Sequence, residues 1–149
     1  MRLWHYQLLP YLPDLQFRGQ LRELVAIMHD WRDKGKTNHL LINRVMEYPK
    51  SELAKYAFKY FKEYYKRYGK ALKDKYWEFS WFGFNRLNVF VDDEIKCFCG
   101  WHDKEYLRVC MANLYEKHHF GIGKSRITDE EWKILLNGYK VITGEDYRI

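Results

Sequence analysis

Apolar positions recur at helical intervals over most of the chain. Behind Asp14, residues Leu15, Leu21, Leu24, Val25, Met28 and Trp31 fall close to a 3.6-residue period, which predicts a helix over 15–31 with Asp14 as its N-cap. Asp33-Lys34-Gly35-Lys36 reads as a turn. Leu41, Val45 and Tyr48 share one side of a short helix over 38–48 closed by Pro49, and Ser51 then offers a cap for a long helix to about Leu72. Asp103 can cap a helix through His118, with Leu107, Met111, Leu114 and His118 in register and Gly121 at its end. Thr128-Asp129-Glu130-Glu131 has the form of a capping box and starts a last helix that stops near Gly138. Two stretches break the pattern. Pro10 and Pro13 favour an extended segment over residues 1–13. Residues 76–101 mix aromatics, Gly and Asn with the acidic run Asp92-Asp93-Glu94, and predict loops with short strands. No repeat or Pro/Gly/Ser linker interrupts the chain, so the expected fold is mainly α, a single compact helical domain over 1–149 with an extended N-terminal segment.

Composition narrows the partners. A chain of 149 residues, 47% hydrophobic and 31% charged, can bury a core without staples. The longest apolar run, Leu8-Leu9-Pro10-Tyr11-Leu12-Pro13, is far short of the ~20 residues of a membrane span, and with no basic, apolar and small-residue sequence at the start a secretory signal is not expected. Three cysteines at uneven spacing argue against a disulfide framework and for a reducing compartment, the cytoplasm. Aromatic residues reach 19% and the net charge is +6, so some rings should lie near a basic surface. That combination suits a polyanion with stackable bases. An acidic membrane face is the other candidate, but no basic helix here carries one clean apolar face.

The charge is concentrated. Lys55, Lys59, Lys62, Lys66, Arg67, Lys70, Lys73 and Lys75 stand against only Glu63 and Asp74. Six of these lysines form one helical stripe; Phe58, Phe61, Tyr65, Tyr68 and Leu72 form a second, and Tyr56, Tyr60 and Tyr64 a third. The Phe58 stripe is expected to face the core, and the tyrosine row to be the exposed, base-contacting surface. The lysines either form an ordinary solvated face or meet phosphates, which would relieve their mutual repulsion. Lys62, Lys66, Arg67, Lys70 and Tyr64 are therefore candidate DNA-binding residues.

Three blocks of sequence carry a resemblance. The chain opens Met1-Arg2-Leu3-Trp4-His5-Tyr6, followed by Leu12-Pro13-Asp14-Leu15-Gln16 and Gly19-Gln20-Leu21-Arg22-Glu23-Leu24. Pro49, Leu53 and Tyr56 precede Arg67-Tyr68-Gly69, and His102-Asp103, Glu105-Tyr106-Leu107, Asn113-Leu114 and Glu116-Lys117 make a third block. The sequence resembles the pyrimidine-dimer DNA glycosylase family of the endonuclease V type carried by some bacteriophages. The "MRLW" start and the Arg-Glu pair on the first helix carry most of the likeness.

The resemblance implies an endonuclease V-like helical fold and a base-excision repair activity on damaged or modified bases in double-stranded DNA, combining glycosylase (hydrolase) and abasic-site lyase chemistry. Its nucleophile is the chain's terminal amine, whose pKa of ~7.7–8.0 leaves an appreciable unprotonated fraction at neutral pH. A carboxylate near the sugar C1′ must stabilise positive charge and move protons. By motif position Met1 and Glu23 are the catalytic pair, and Arg22 holds a phosphate or flanks the lesion. Gly19, one turn before Glu23, would admit DNA or the N-terminal segment closely. Arg2, His5 and Gln16 complete the expected DNA-binding set; His5 is expected to pack on the adjacent aromatics yet lie close enough to Met1 to touch a bound sugar. Two departures stand out. The characterised phage member has a small second residue and loses its initiator Met, whereas Arg2 is bulky and Met1 is expected to stay. Gln16 and Ala26 stand where the family helix carries His and Arg, which bears on the choice of lesion more than on imine chemistry.

Other motifs are thinner. Cys97-Phe98-Cys99-Gly100-Trp101-His102, with Cys110 and His118-His119, lacks the paired spacing of a zinc site, so buried, inert cysteines and no metal are expected. Gly121, Gly123, Lys124 and Ser125 lack the spacing of a phosphate loop. The expectation is a monomer that needs no cofactor and no membrane, resident in the cytoplasm, or in the host cytoplasm if phage-encoded. A non-catalytic basic DNA-binding protein on the same scaffold is the alternative, and a partner-binding module with an aromatic surface a third reading.

Overall fold

In the computed structural model, which describes residues 2–70 and 95–149, Pro13 stands directly before α1 (Asp14–Lys34). The Pro13 carbonyl accepts the Phe17 N–H at 2.9 Å, so Pro13 rather than Asp14 occupies the cap position. The Asp14 carboxylate instead pairs with Arg18 one turn on, at 2.9 Å. Met1, the expected helix end at Leu72, Lys73, Lys75 and the run Asp92-Asp93-Glu94 lie outside the described residues, as does most of the 76–101 stretch. Every regular element among the described residues is helical, so the fold is mainly α.

The chain divides into two compact units. The first holds Met1–Leu3 and Gln20–Cys99, the second Trp4–Gly19 and Gly100–Ile149.

In the first unit, α1 buries Gln20, Leu24, Ile27 and Met28 on one face; of the expected apolar set only Leu24 and Met28 are buried, Leu21, Val25 and Trp31 are half-buried, and Leu15, in the second unit, is exposed. Gly35, at φ 68°, ends it. The expected helix over 38–48 is only a 3-10 helix, Ile42–Glu47. Asn43 turns its side chain back onto Thr37, accepting the Thr37 N–H at 2.7 Å and donating to the Thr37 carbonyl at 3.3 Å. These bonds take backbone groups that a longer helix would need.

Pro49 then caps α2 (Lys50–Tyr68) in place of the expected Ser51. Gly69, left-handed at φ 67°, ends α2 four residues short of Leu72, its N–H bonded to the Tyr65 carbonyl at 2.8 Å. Phe98 is buried with φ 53°, a conformation costing a bulky residue ~1–2 kcal/mol. Its ring meets Tyr48 edge-on at 5.4 Å and Tyr56 at 6.3 Å, and the Tyr48 hydroxyl donates to the adjoining Cys99 carbonyl at 3.0 Å.

In the second unit the expected extended segment contains a 3-10 helix, Tyr6–Tyr11, which buries Tyr6, Leu8 and Leu9 and holds Pro10 within it. α3 (Lys104–His119) begins as expected at Asp103, whose carboxylate accepts the Tyr106 N–H at 2.9 Å. Gly121 follows α3 but does not cap it; Phe120 does, and a side chain at 121 would run into the Lys117 carbonyl. α4 (Asp129–Thr143) opens on the capping box read from sequence, Thr128 and Glu131 exchanging bonds of 3.2 and 3.0 Å.

α4 does not stop at Gly138. It continues to Thr143 and ends on Gly144 at φ 77°. Gly138 is buried inside the helix because the ring of Tyr11 fills the space a Cβ would need. α4 thereby lies on the 3-10 helix, with α3 packed beside it.

Candidate functional site

The site is built on α1 in the first unit. Gln20 and Glu23 are three residues apart and so share a face. Leu3 is fully buried, which draws the opening residues onto the unit. The Arg2 N–H donates to Glu23 Oε2 at 2.9 Å, and Gln20 Nε2 donates to the Arg2 carbonyl at 2.9 Å. The Tyr56 hydroxyl, reaching across from α2, donates to Gln20 Oε1 at 3.1 Å. The direction of each bond follows from the first acceptor. A carbonyl only accepts, so the Gln20 nitrogen must face Arg2, its oxygen must face Tyr56, and the hydroxyl must donate. Gln20 and Tyr56 are fully buried, while Glu23 is half-buried. A carboxylate that accepts a backbone N–H makes a charge-assisted bond, stronger than a neutral one.

The structure thus brings Arg2 and Glu23 together. Arg22, the residue before Glu23 on α1, is exposed, and Met1 lies outside the described residues. Gln16 and Gly19 are half-buried residues of α1 that belong to the second unit.

His5 also belongs to the second unit, where it packs on aromatics as the sequence suggested. It is stacked with Tyr6 at 4.9 Å and with His102 at 5.2 Å, and its Nδ1 accepts the Gln7 N–H at 3.2 Å. At 1% exposure the ring offers almost no surface to a ligand. Burial pushes its pKa down to about 4, against the weaker opposing pull of its bond to the His102 backbone and of Asp103.

α2 carries the basic surface, but its faces differ from the sequence reading. Tyr56 and Tyr60, expected in the exposed row, are fully buried together with Leu53, Ala54 and Ala57. Tyr64 is half-buried, its ring 4.6 Å from that of Tyr68. Phe58 and Phe61, expected in the core, are only half-buried, and Tyr65 is 61% exposed.

Lys62, Lys66 and Lys70 are exposed. Arg67 is tied to Glu63 at 3.0 Å and Lys55 to Glu52 at 2.8 Å, so part of the cationic stripe is matched within its own helix. The bond to Glu52 raises the Lys55 pKa.

Among the described residues no three His, Cys, Asp or Glu side chains gather to hold a metal ion, and no helix is long and apolar enough to cross a membrane. Cys97 and Cys110 are buried and Cys99 is exposed; burial pushes the Cys97 thiol up to about 12.

Sequence reasoning missed Gln20 and Tyr56. Tyr56 stands within one of the blocks that carry the resemblance, but its spacing with Tyr60 and Tyr64 points to the exposed row. Gln20 carried a usable signal, since an amide among the apolar positions of a helix needs a dedicated partner.

The family model described as pyrimidine dimer DNA glycosylase matches residues 1–76. That span contains Arg2, Gln20, Arg22, Glu23 and all of α2. No curated protein and no solved structure matches the chain.

Proposed function

The chain belongs to the pyrimidine dimer DNA glycosylase family, whose substrate is DNA, and on that footing we propose that it excises damaged bases and nicks the resulting abasic site through an imine on its own terminal amine. The Met1 α-amine attacks the sugar C1′ and the base departs, taking a proton. The nitrogen then loses a proton as the C1′–O4′ ring bond opens, the ring oxygen takes up a proton as the 4′-hydroxyl, and the nitrogen holds the open sugar as an imine. That imine acidifies the C2′ proton; its removal expels the 3′ phosphate by β-elimination, and one strand is cut.

Glu23 serves as the carboxylate. It stabilises positive charge developing at C1′ and relays the protons of imine formation and elimination. Arg22 holds a phosphate beside it, and Lys62, Lys66 and Lys70 neutralise the backbone without reading sequence. The damaged nucleotide must leave the base stack to be reached.

The observation that supports this reading is the 2.9 Å bond between Glu23 and the Arg2 N–H. The Arg2 nitrogen is three covalent bonds from the α-nitrogen of residue 1, a length compatible with an amine and a carboxylate acting on one sugar. The experiment is borohydride trapping on a duplex with a single abasic site. The expected result is a covalent protein–DNA adduct that an N-terminal extension abolishes. Trapping that survives a blocked terminus overturns the amine assignment.

The basic face of α2 is equally suited to a non-catalytic DNA-binding protein. That reading predicts salt-sensitive binding with no adduct.

A further inference from the structure

Glu23 is one of two side chains of α1 that grip Arg2; the second, Gln20, takes no part in the chemistry at the sugar. Gln20 and Tyr56 are both fully buried, and neither is exposed enough to meet DNA. A leucine and a phenylalanine would fill the same space without the cost of desolvating polar groups. What the polar pair adds is orientation. The Arg2 N–H belongs to the peptide joining residues 1 and 2, and its carbonyl to the peptide joining residues 2 and 3. Glu23 holds the first at 2.9 Å and Gln20 holds the second at 2.9 Å. Because each peptide is planar, the two bonds fix the backbone on both sides of the Arg2 Cα.

We propose that Gln20 and Tyr56 are positioning residues: the Tyr56 hydroxyl locks the Gln20 amide, and that amide with Glu23 sets the direction in which the chain leaves Arg2 toward residue 1. This role rests on the terminal-amine reading above. Neither side chain touches the sugar. Both act through the main chain, by keeping the nucleophile in one geometry relative to the carboxylate. Effective molarity falls steeply when a reacting group is displaced, and a ~1 Å error costs on the order of a hundredfold in rate.

Tyr56→Phe keeps the ring and removes only the hydroxyl; Gln20→Met keeps the length and removes both polar atoms. The test compares them with the wild type in two measurements. The first is single-turnover nicking and borohydride trapping of abasic duplex. Both variants should lose at least about tenfold in turnover, with KM changed less than about twofold, since no contact with DNA is altered. The second needs no activity and reads the Gln20 side-chain amide protons by nitrogen-resolved NMR. In the wild type they should exchange at least about tenfold more slowly than those of exposed Gln7, and in Tyr56→Phe that protection should be lost while the melting temperature stays near that of the wild type.

Unchanged turnover in both variants of an active enzyme overturns the positioning role. So does unprotected Gln20 in the wild type. A wild type that forms no adduct overturns the lyase reading instead, and the exchange rates then decide the clamp alone.

Discussion

Glu23 accepts the backbone N–H of Arg2 at 2.9 Å, so the carboxylate of the first helix and the start of the chain are joined by the main chain itself. Glu23→Gln keeps an oxygen to accept that bond and removes the charge. In abasic-site assays the variant should lose about a hundredfold or more in nicking while its affinity for the same duplex changes less than about threefold. Nicking at wild-type rate would remove Glu23 from the chemistry.

Lys62 and Lys66 are exposed, and half-buried Arg67 is bound to Glu63 at 3.0 Å. Every phosphate that is no longer neutralised should lower the slope of log affinity against log salt by about 0.9. Lys62→Ala with Lys66→Ala should therefore reduce the slope by about 1–2, equally for different DNA sequences. Arg67→Ala should change it less. Salt titrations of binding by anisotropy decide this, and equal effects of all three would deny the Glu63 pair any part.

His5 supplies a pH dependence of stability. Its pKa falls from 6.5 in the unfolded chain to about 4 in the folded one. Between those values the unfolded state binds the proton and the folded state does not, so stability rises with pH. The contribution is complete above pH 6.5 and is lost as pH falls toward 4, by on the order of 3 kcal/mol for a ring only 1% exposed. Denaturant melts at pH 7 and pH 5 should show the loss. His5→Gln should flatten the difference.

Gly138→Ala sets two effects against each other. Helix propensity alone favours Ala by about 1 kcal/mol. The added methyl would enter the Tyr11 ring, and overpacking of this kind costs about 1–3 kcal/mol. A net loss of stability is expected, and Tyr11→Ala in the same chain should make Gly138→Ala neutral or stabilising. A double-mutant cycle on thermal melts measures the coupling.

The sequence revealed those elements whose signals are local. The Asp103 cap and the Thr128–Glu131 box each span four residues, and the helical period of α1 is local too, although of its six apolar positions only Leu24 and Met28 are buried. What stayed hidden depended on neighbours distant in sequence. Gly138 looks like a stop until Tyr11 is placed against it. α2 carries rings on several sides, so periodicity could not say which would be buried. Packing buries Leu53, Tyr56, Ala57 and Tyr60 and leaves Tyr65 exposed. At the site, motif position points to Glu23 and Arg2. Their hydrogen bond, and the part played by Gln20, required residues 21 and 18 apart to meet.

Both attachments at Arg2 are made by peptide atoms, and neither reads the side chain. Position 2 is therefore open to evolutionary drift as far as the clamp is concerned. The clamp itself would hold nearly any amino acid at position 2 in the same way, whereas proline, which has no hydrogen to offer Glu23, would break it.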